Sequence, residues 1–178
     1  GDWLTPALQV NTHSEDLATG IRLRKPPLLY WLQAVSMRAF GQTAFAARLP
    51  TALATLGCAG LAYHVGSVTE NRVAGFVGAL VFLSFPGIRN GSHGGTAAVP
   101  DVLLLSFGAL FVWLTVRGKE RPRLLIPAGV CAGLAVMTKG FAAGVFVLVL
   151  LPVIAFHRRS YRNRWTLGAV GVTLLVGL

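Results

Sequence analysis

Three charged residues, Lys25, Asp101 and Lys139, stand beside or within long apolar runs of this sequence. A charge in such a position is costly unless it is paired or lines a wet cavity, so each is a candidate functional group. Lysine binds phosphate as a point charge, and a carboxylate can take a proton from a hydroxyl. Together they suit a reaction at the phosphorylated head group of a lipid. The alternatives are a helix-terminal charge for Asp101 and a lysine that only reaches the membrane surface for Lys139.

Lys25 belongs to the most distinctive stretch, Arg24-Lys25-Pro26-Pro27-Leu28-Leu29-Tyr30-Trp31-Leu32-Gln33. Two consecutive prolines suit the start of a helix, and we predict that this helix runs to about Phe40, before Gly41. Its length of about 15 residues is short for a membrane span of roughly 20, so we expect an interfacial or re-entrant helix.

Three further residues are candidates for substrate binding. Arg24 adds a second cation beside Lys25, and Tyr30 is of a type that favours the boundary between water and hydrocarbon. His93 lies in the Gly-rich polar loop 89–98. Histidine serves as a base or a ligand in many sites, although a lone histidine in a loop more often has neither role.

The composition indicates a membrane protein. Hydrophobic residues make up 54% of the chain and charged residues 12%, whereas soluble domains are about 25% charged. The net charge of +10 would suggest nucleic acid in a soluble chain, but cytoplasmic loops of membrane proteins collect Lys and Arg. We therefore predict the lipid bilayer as a partner and no nucleic acid. Cys58 and Cys131 lack metal-ligand spacing and are expected to be small core residues.

The predicted fold class is all-α, a multi-span transmembrane helix bundle with an extracytoplasmic juxtamembrane helical segment. Residues 1–178 are predicted to form one membrane-embedded domain, with an outer loop and interfacial helix in 1–44 and about six transmembrane segments in 45–178. The predicted spans are 45–68, 73–88, 99–116, 124–138, 141–156 and the apolar run from Trp165. The sequence starts without Met and ends in an apolar run, so we expect a piece of a longer protein.

The charge pattern predicts an orientation. The strongly basic connections 117–123 and 157–164 are separated by two predicted spans, so they share a side of the membrane, which the positive-inside rule makes cytoplasmic. The turn at 68–72 falls on the same side. Lys25, Asp101 and Lys139 fall on the extracytoplasmic side, where topology does not explain the cations. We therefore predict a protein of the cell (inner or plasma) membrane whose active face is on the extracytoplasmic side.

Several segments together resemble a known family. They are Gly1-Asp2-Trp3-Leu4-Thr5-Pro6, Lys25-Pro26-Pro27-Leu28-Leu29-Tyr30-Trp31-Leu32, Ala46-Ala47-Arg48-Leu49-Pro50, Ala98-Val99-Pro100-Asp101 and Gly133-Leu134-Ala135-Val136-Met137-Thr138-Lys139-Gly140-Phe141. Their order is similar to that in the polytopic membrane glycosyltransferases of the dolichyl-phosphate-mannose protein mannosyltransferase and aminoarabinose (lipid A) transferase group. The resemblance covers nearly the whole chain, as the N-terminal half of a longer enzyme.

The resemblance implies a polyprenyl-phosphate sugar donor and transfer to a glycan, lipid or protein acceptor outside the cell membrane. In that family Lys25 matches the lysine near the lipid phosphate, Lys139 matches the lysine of a TKG turn, and Asp101 matches the second acidic residue of the active-site region. The family's first acidic motif precedes the segment similar to Gly1–Pro6. Arg24 stands where the family commonly has a glutamate that can bind metal. The resemblance thus implies no metal site and no certain cofactor in these residues, and leaves a divalent metal open for a longer enzyme.

Two other functions fit the same charges. A transporter or flippase of an anionic lipid could use the outer cations, but it needs polar residues at mid-span to line its path. Few are present in the predicted spans: His64, Ser67, Ser84 and Ser106. The remaining alternative is a non-catalytic membrane fragment.

Overall fold

The computed structural model describes residues 26–89 and 99–177, and within these ranges every regular element is helical. The helices are α1 (Leu28–Phe40), α2 (Ala44–Thr69), α3 (Arg72–Ser84), α4 (Pro86–Arg89), α5 (Pro100–Gly118), α6 (Leu125–Lys139), α7 (Gly144–Phe156), α8 (Arg158–Tyr161) and α9 (Arg164–Gly177). The all-α prediction is confirmed.

Helix α1 has the limits that its proline and glycine residues predict. It begins directly after the two prolines, and the Trp31 N–H donates to the Pro27 carbonyl at 3.1 Å. It ends at Phe40 because Gly41 takes a φ of 81°, a left-handed conformation that glycine tolerates best. The chain then reverses, and α2 starts where the Thr43 hydroxyl accepts a hydrogen bond from the Ala46 N–H at 3.2 Å.

Helices α2 and α3 form a closely packed pair. The 26 residues of α2 extend over about 39 Å, more than the roughly 30 Å of a hydrocarbon core. The Asn71 side chain caps α3 by accepting from the Ala74 N–H at 3.0 Å. A Cβ at Gly66 would lie 2.8 Å from the Gly75 Cα, so this contact requires glycine. Small residues permit such backbone contacts between membrane helices.

The prediction of one span over 73–88 is wrong at its end. Helix α3 stops at Ser84 after 13 residues, and Phe85 is extended with a ψ of 127°. The residue before a proline avoids the helical region because the proline ring clashes with it. Pro86 therefore begins the separate short helix α4, and α3 alone is about 20 Å long.

Helices α5, α6 and α7 run back and forth. A short 3₁₀ turn at Pro122–Leu124 joins α5 to α6, and a second one at Gly140–Ala143 joins α6 to α7. The apolar stretch Pro122–Phe156 is long enough to count as one spanning segment. It nevertheless turns back at Gly140, whose φ of 58° ends α6. The Phe146 ring of α7 then packs directly on Gly108 of α5. The predicted sharp turn between two spans is confirmed.

Helix α9 packs parallel to α6 through glycines. A Cβ at Gly129 would lie 2.9 Å from the Ala169 Cα, and one at Gly133 would lie 2.7 Å from the Val176 Cβ. The Thr173 hydroxyl also donates to the Gly129 carbonyl at 3.1 Å. Gly75, Gly129 and Gly133 thus lie at close contacts between helices, whereas Gly78 has only an ordinary contact of 3.8 Å with the Ala62 carbonyl.

Three apolar helical stretches are long enough to cross a membrane: Ala44–Thr69, Pro100–Gly118 and Pro122–Phe156. Helices α3 and α9 are shorter apolar helices beside them. Cys58 and Cys131 are buried in this bundle, as predicted. The chain is therefore a multi-pass membrane protein.

The two basic connections meet at one end of the bundle. The Tyr161 hydroxyl donates to the Thr115 carbonyl at 2.9 Å, and Lys119 Nζ lies 3.5 Å from His157 Nε2. These contacts join the end of α5 to the segment around α8. The prediction that both connections share one side is confirmed.

The turn between α2 and α3 lies at the same end. The His64 ring meets the Trp113 ring edge to face at 5.3 Å, and the Arg117 guanidinium lies 5.2 Å from the centre of the same indole. These contacts place the last turns of α2 beside the last turns of α5. We call this region, formed by residues 70–72, 117–124 and 157–164, the basic end.

Candidate active site

An ion pair joins the start of α5 to the end of α6, at the end of the bundle opposite to the basic end. Lys139 Nζ donates a hydrogen bond to Asp101 Oδ1. The Lys139 side chain is 36% exposed and the Asp101 side chain 25% exposed, so both groups remain accessible to a ligand. The two residues are 38 positions apart in sequence and meet because α5 and α6 are antiparallel.

The local sequence explains the position of each charge. Pro100 is at the first position of α5, where its missing N–H costs nothing, and Asp101 follows in the first turn. A carboxylate is favourable there because the helix dipole is positive at its N-terminus. Lys139 is in the last turn of α6, where a cation is favourable, and Gly140 with a φ of 58° ends the helix.

The start of α1 lies against the same end. The Pro26 Cγ is 3.9 Å from the position of a Cβ at Gly140. Leu28 and Leu29 of α1 are buried in one cluster with Leu103 of α5. The starts of α1 and α5 and the end of α6 therefore meet in one place, which we call the ion-pair end.

The structure brings two predicted site residues together, Asp101 and Lys139. Tyr30 is in the first turn of α1, partly exposed, and forms no hydrogen bond with either of them. Lys25, Arg24 and His93 lie outside the described residues, and their roles stay predictions. Lys25 directly precedes Pro26 in the chain.

The described residues do not fit a metal site. Within 26–89 and 99–177, no three His, Cys, Asp or Glu side chains cluster in a way that could hold an ion. The two glutamates of these ranges, Glu70 and Glu120, are in the basic-end turns, away from Asp101. A single carboxylate already in contact with a lysine is a poor ligand set for a divalent cation, which takes several oxygen ligands.

The sequence predicted that Asp101 and Lys139 share a rim, but not that they touch. A signal for the contact was present: an aspartate one residue after a proline at a predicted helix start, and a lysine before a glycine at a predicted helix end. For two helices joined by a short connection, these ends are neighbours. No comparable signal in the sequence indicated the contact between Tyr161 and Thr115.

Several bacterial arabinosyl transferases are similar to this chain over a part of their own length. An undecaprenyl phosphate-α-4-amino-4-deoxy-L-arabinose arabinosyl transferase 2 of Pseudomonas fluorescens is 32% identical over 98% of this chain and 30% of its own length. Two further relatives have the same name without the final number, and each is 32% identical to this chain. The enzyme of Pseudomonas savastanoi matches over 89% of this chain and 29% of its own length. The enzyme of Pseudomonas aeruginosa matches over 97% of this chain and 30% of its own length. The chain thus spans about 30% of the length of these relatives. No solved structure matches it significantly.

The family assignment rests on most of the chain. The sequence profile described as dolichyl-phosphate-mannose-protein mannosyltransferase matches residues 24–178. The matched range contains all of the described helices and both residues of the ion pair. The chain belongs to the dolichyl-phosphate-mannose-protein mannosyltransferase family.

Proposed function

We propose that this protein is a glycosyltransferase that moves a sugar from a polyprenyl-phosphate donor to an acceptor hydroxyl or phosphate on the extracytoplasmic side of the cell membrane. The observation that carries the proposal is the partly exposed pair of Asp101 and Lys139 at the ion-pair end. Family membership and the printed names of the relatives support it. Those names make undecaprenyl phosphate carrying 4-amino-4-deoxy-L-arabinose the first donor to test.

In the proposed mechanism, Lys139 and Lys25 bind the phosphate of the donor. A lysine ammonium has three N–H donors, so Lys139 can hold Asp101 and a phosphate oxygen together. Asp101 accepts the proton of the acceptor hydroxyl as the acceptor oxygen bonds to the anomeric carbon of the sugar. The bond from that carbon to the phosphate oxygen breaks, and the lysines stabilise the charge that develops on the departing polyprenyl phosphate. Arg24, Tyr30 and His93 are proposed as further substrate contacts.

The charge distribution supports the proposed sidedness of the reaction. By the positive-inside rule the basic end faces the cytoplasm, so the ion-pair end faces away from it. The start of α1 would then lie at the outer interface, with Tyr30 and Trp31 at head-group depth. A lipid phosphate at that depth would be within reach of the residues that follow the two prolines.

The described residues favour a transferase over a transporter. Four hydroxyl groups inside the helices bond to carbonyls one turn away instead of lining a path. The pairs are Thr51 to Arg48, Thr55 to Thr51, Ser106 to Leu103 and Thr138 to Leu134, at 2.7–2.9 Å. A path for an anion across the bilayer needs accessible polar groups at mid-span.

The test is sugar transfer by the full-length protein with Asp101→Asn, an exchange that keeps the shape of the side chain and removes its basicity. We expect transfer from the undecaprenyl-phosphate donor to fall by about 10²–10⁴-fold, the contribution typical of a general base. The matched control is Glu120→Gln, the same chemical change at the basic end, which should leave transfer unchanged.

Membrane insertion and thermal stability of both variants are measured together with transfer. Full turnover by a normally inserted Asp101→Asn protein would contradict the assignment of Asp101 as the base. Flux of the lipid across vesicles without any sugar transfer would instead support a transporter.

A further inference from the structure

A cavity lies between two pairs of helices near the basic end. Helix α7 packs against α5, and α9 packs against α6. Between these pairs is a space of about 270 Å³, lined mainly by apolar side chains such as Phe111, Ala128 and Leu174. Well-packed protein interiors have few voids larger than one water molecule, and apolar cavities do not hold water. In a membrane, such a space is suited to a hydrocarbon chain.

The cavity wall also contains a hydroxyl without a partner. Thr115 lines the cavity and is 5% exposed, and among the described residues its Oγ1 has no hydrogen-bond partner. Its carbonyl is already occupied by the Tyr161 hydroxyl. Thr115 lies three residues before the end of α5 at Gly118, which is about 4.5 Å along the helix axis. That is a suitable depth for the ester groups of a phospholipid whose head group lies at the helix end.

Exposed arginines lie next to one residue of the cavity wall in the chain. Tyr161, which also lines the cavity, lies between Arg159 and Arg162 in the chain, and both arginines are exposed, as is Arg158. No carboxylate of the described residues is in ion-pair contact with them. The positive-inside rule explains an excess of arginines on this side. It does not explain a hydrocarbon-sized cavity beside the segment that carries them, with a buried hydroxyl that has no hydrogen-bond partner among the described residues.

We propose that the basic end binds an anionic phospholipid of the bilayer. In this site the arginines at 158, 159 and 162 bind the lipid phosphate, and Thr115 Oγ1–H donates to an ester carbonyl. One acyl chain fills the cavity between α5, α6, α7 and α9. Basic pockets between helices on the cytoplasmic side bind anionic head groups by this combination of contacts. The site is separate from the proposed donor site, since it lies at the opposite end of the bundle.

The test measures lipid binding to the purified, delipidated full chain in detergent by native mass spectrometry. The probes are phosphatidylglycerol and phosphatidylcholine with the same acyl chains. Each surface cation adds about 1 kcal/mol to the attraction of an anionic lipid, or about fivefold in affinity. We expect phosphatidylglycerol to bind at least about tenfold more tightly than phosphatidylcholine.

Two variants separate the parts of the site. The triple change Arg158→Gln, Arg159→Gln, Arg162→Gln should abolish the preference for phosphatidylglycerol, whereas the pair Arg38→Gln, Arg48→Gln, on α1 and α2 away from the basic end, should preserve it. Thr115→Val should weaken both lipids by a similar few-fold factor, since both have ester carbonyls. Thermal unfolding verifies that each variant is folded.

Three results would overturn the proposal. They are equal binding of the two lipids by the unmodified protein, an undiminished preference in the folded triple variant, and complete displacement of phosphatidylglycerol by millimolar inorganic phosphate. The first would mean that something other than an anionic lipid, such as a further helix, covers the cavity. The third would mean that the arginines bind phosphate without using the cavity.

Discussion

The two ends of the helix bundle carry their positive charge in different ways. At the ion-pair end a lysine contacts a carboxylate across the ends of α5 and α6. At the basic end three of the described cations contact rings or a histidine nitrogen: Arg117 lies over Trp113, Arg164 over Trp165, and Lys119 against His157. Nine basic and two acidic residues belong to the connections of the basic end.

This difference separates topology from chemistry. The positive-inside rule accounts for an excess of cations on one side of a membrane protein, so these cations need no ligand to explain them. A lysine and an aspartate brought together from positions 139 and 101 are not explained by insertion. They indicate either a structural ion pair or a site for an anionic substrate. The predictions below test that choice, from the largest expected effect to the smallest.

The comparison is tested most strongly by removing one lysine at each end. We expect Lys139→Gln in the full-length enzyme to lower sugar transfer by about 10²–10³-fold, because one donor to the departing phosphate is lost. Lys119→Gln, at the basic end, should leave transfer unchanged. The measurement is the initial rate of transfer at several donor concentrations. Equal losses from both substitutions would mean that the ends do not differ in function.

A change in helix packing between the two ends of the bundle should lower the stability of the whole bundle and should not act on one end alone. Gly129→Ala places a methyl group against the backbone of Ala169, and overpacking of this kind costs about 1–3 kcal/mol in the free energy of unfolding. Gly171→Ala on α9 is the matched control, since nothing lies within 4 Å of its new Cβ. Thermal unfolding in detergent should show a lower transition temperature for the first variant only. A normal transition for Gly129→Ala would contradict the close contact of α6 and α9.

The hydrogen bond at the basic end should contribute to stability and not to transfer. Tyr161→Phe removes the donor to the Thr115 carbonyl and should cost about 1 kcal/mol in the free energy of unfolding. Tyr63→Phe, at a tyrosine that is 40% exposed, should cost little. Transfer assays of the Tyr161→Phe protein at a temperature where it is folded should give the parent rate. A large loss of transfer would connect the basic end to the chemistry.

A smaller effect is expected at alkaline pH. Burial raises the pKa of Tyr161 above its ordinary value. Because the folded protein keeps the phenol protonated more firmly than the unfolded chain, the stabilisation is fully present below the ordinary pKa of about 10 and is lost as the pH rises through the folded value. The transition temperature of the parent should therefore fall above about pH 10 more than that of Tyr161→Phe. If the transition temperatures of the two proteins fell equally with pH, the protonated Tyr161 phenol would make no contribution to stability.

Much of the architecture could be predicted from residue types. The prolines at 26 and 27 define the start of α1, Gly41 and Gly140 end two helices, and the apolar runs correspond to the long helices. The error at α3 came from relying on hydropathy. The apolar run continues past Ser84, but the helix ends there because Phe85, the residue before Pro86, is extended. At that point the backbone conformation required before a proline determined the end of the helix, and the apolar composition did not.

Contacts between distant residues were less predictable. The sequence placed Asp101 and Lys139 on one side because a count of spans fixes the side of each loop. It could not show that they touch, since contact depends on which helices are neighbours and on how far each extends. The same limit applies to Tyr161 and Thr115, whose contact depends on α7 returning along α5. Helix packing, and not helix formation, supplied the missing information.

The most direct test of the proposed active site is to remove both charges of the ion pair together. Each single substitution breaks the ion pair and leaves one of its two charges in place, which is destabilising, whereas Asp101→Asn with Lys139→Gln leaves two neutral groups that can hydrogen-bond. If the pair binds and converts substrate, the double variant should regain thermal stability relative to the single variants while sugar transfer stays at least about 10²-fold below the parent. Recovery of transfer together with stability would contradict the account and make the pair a structural contact only.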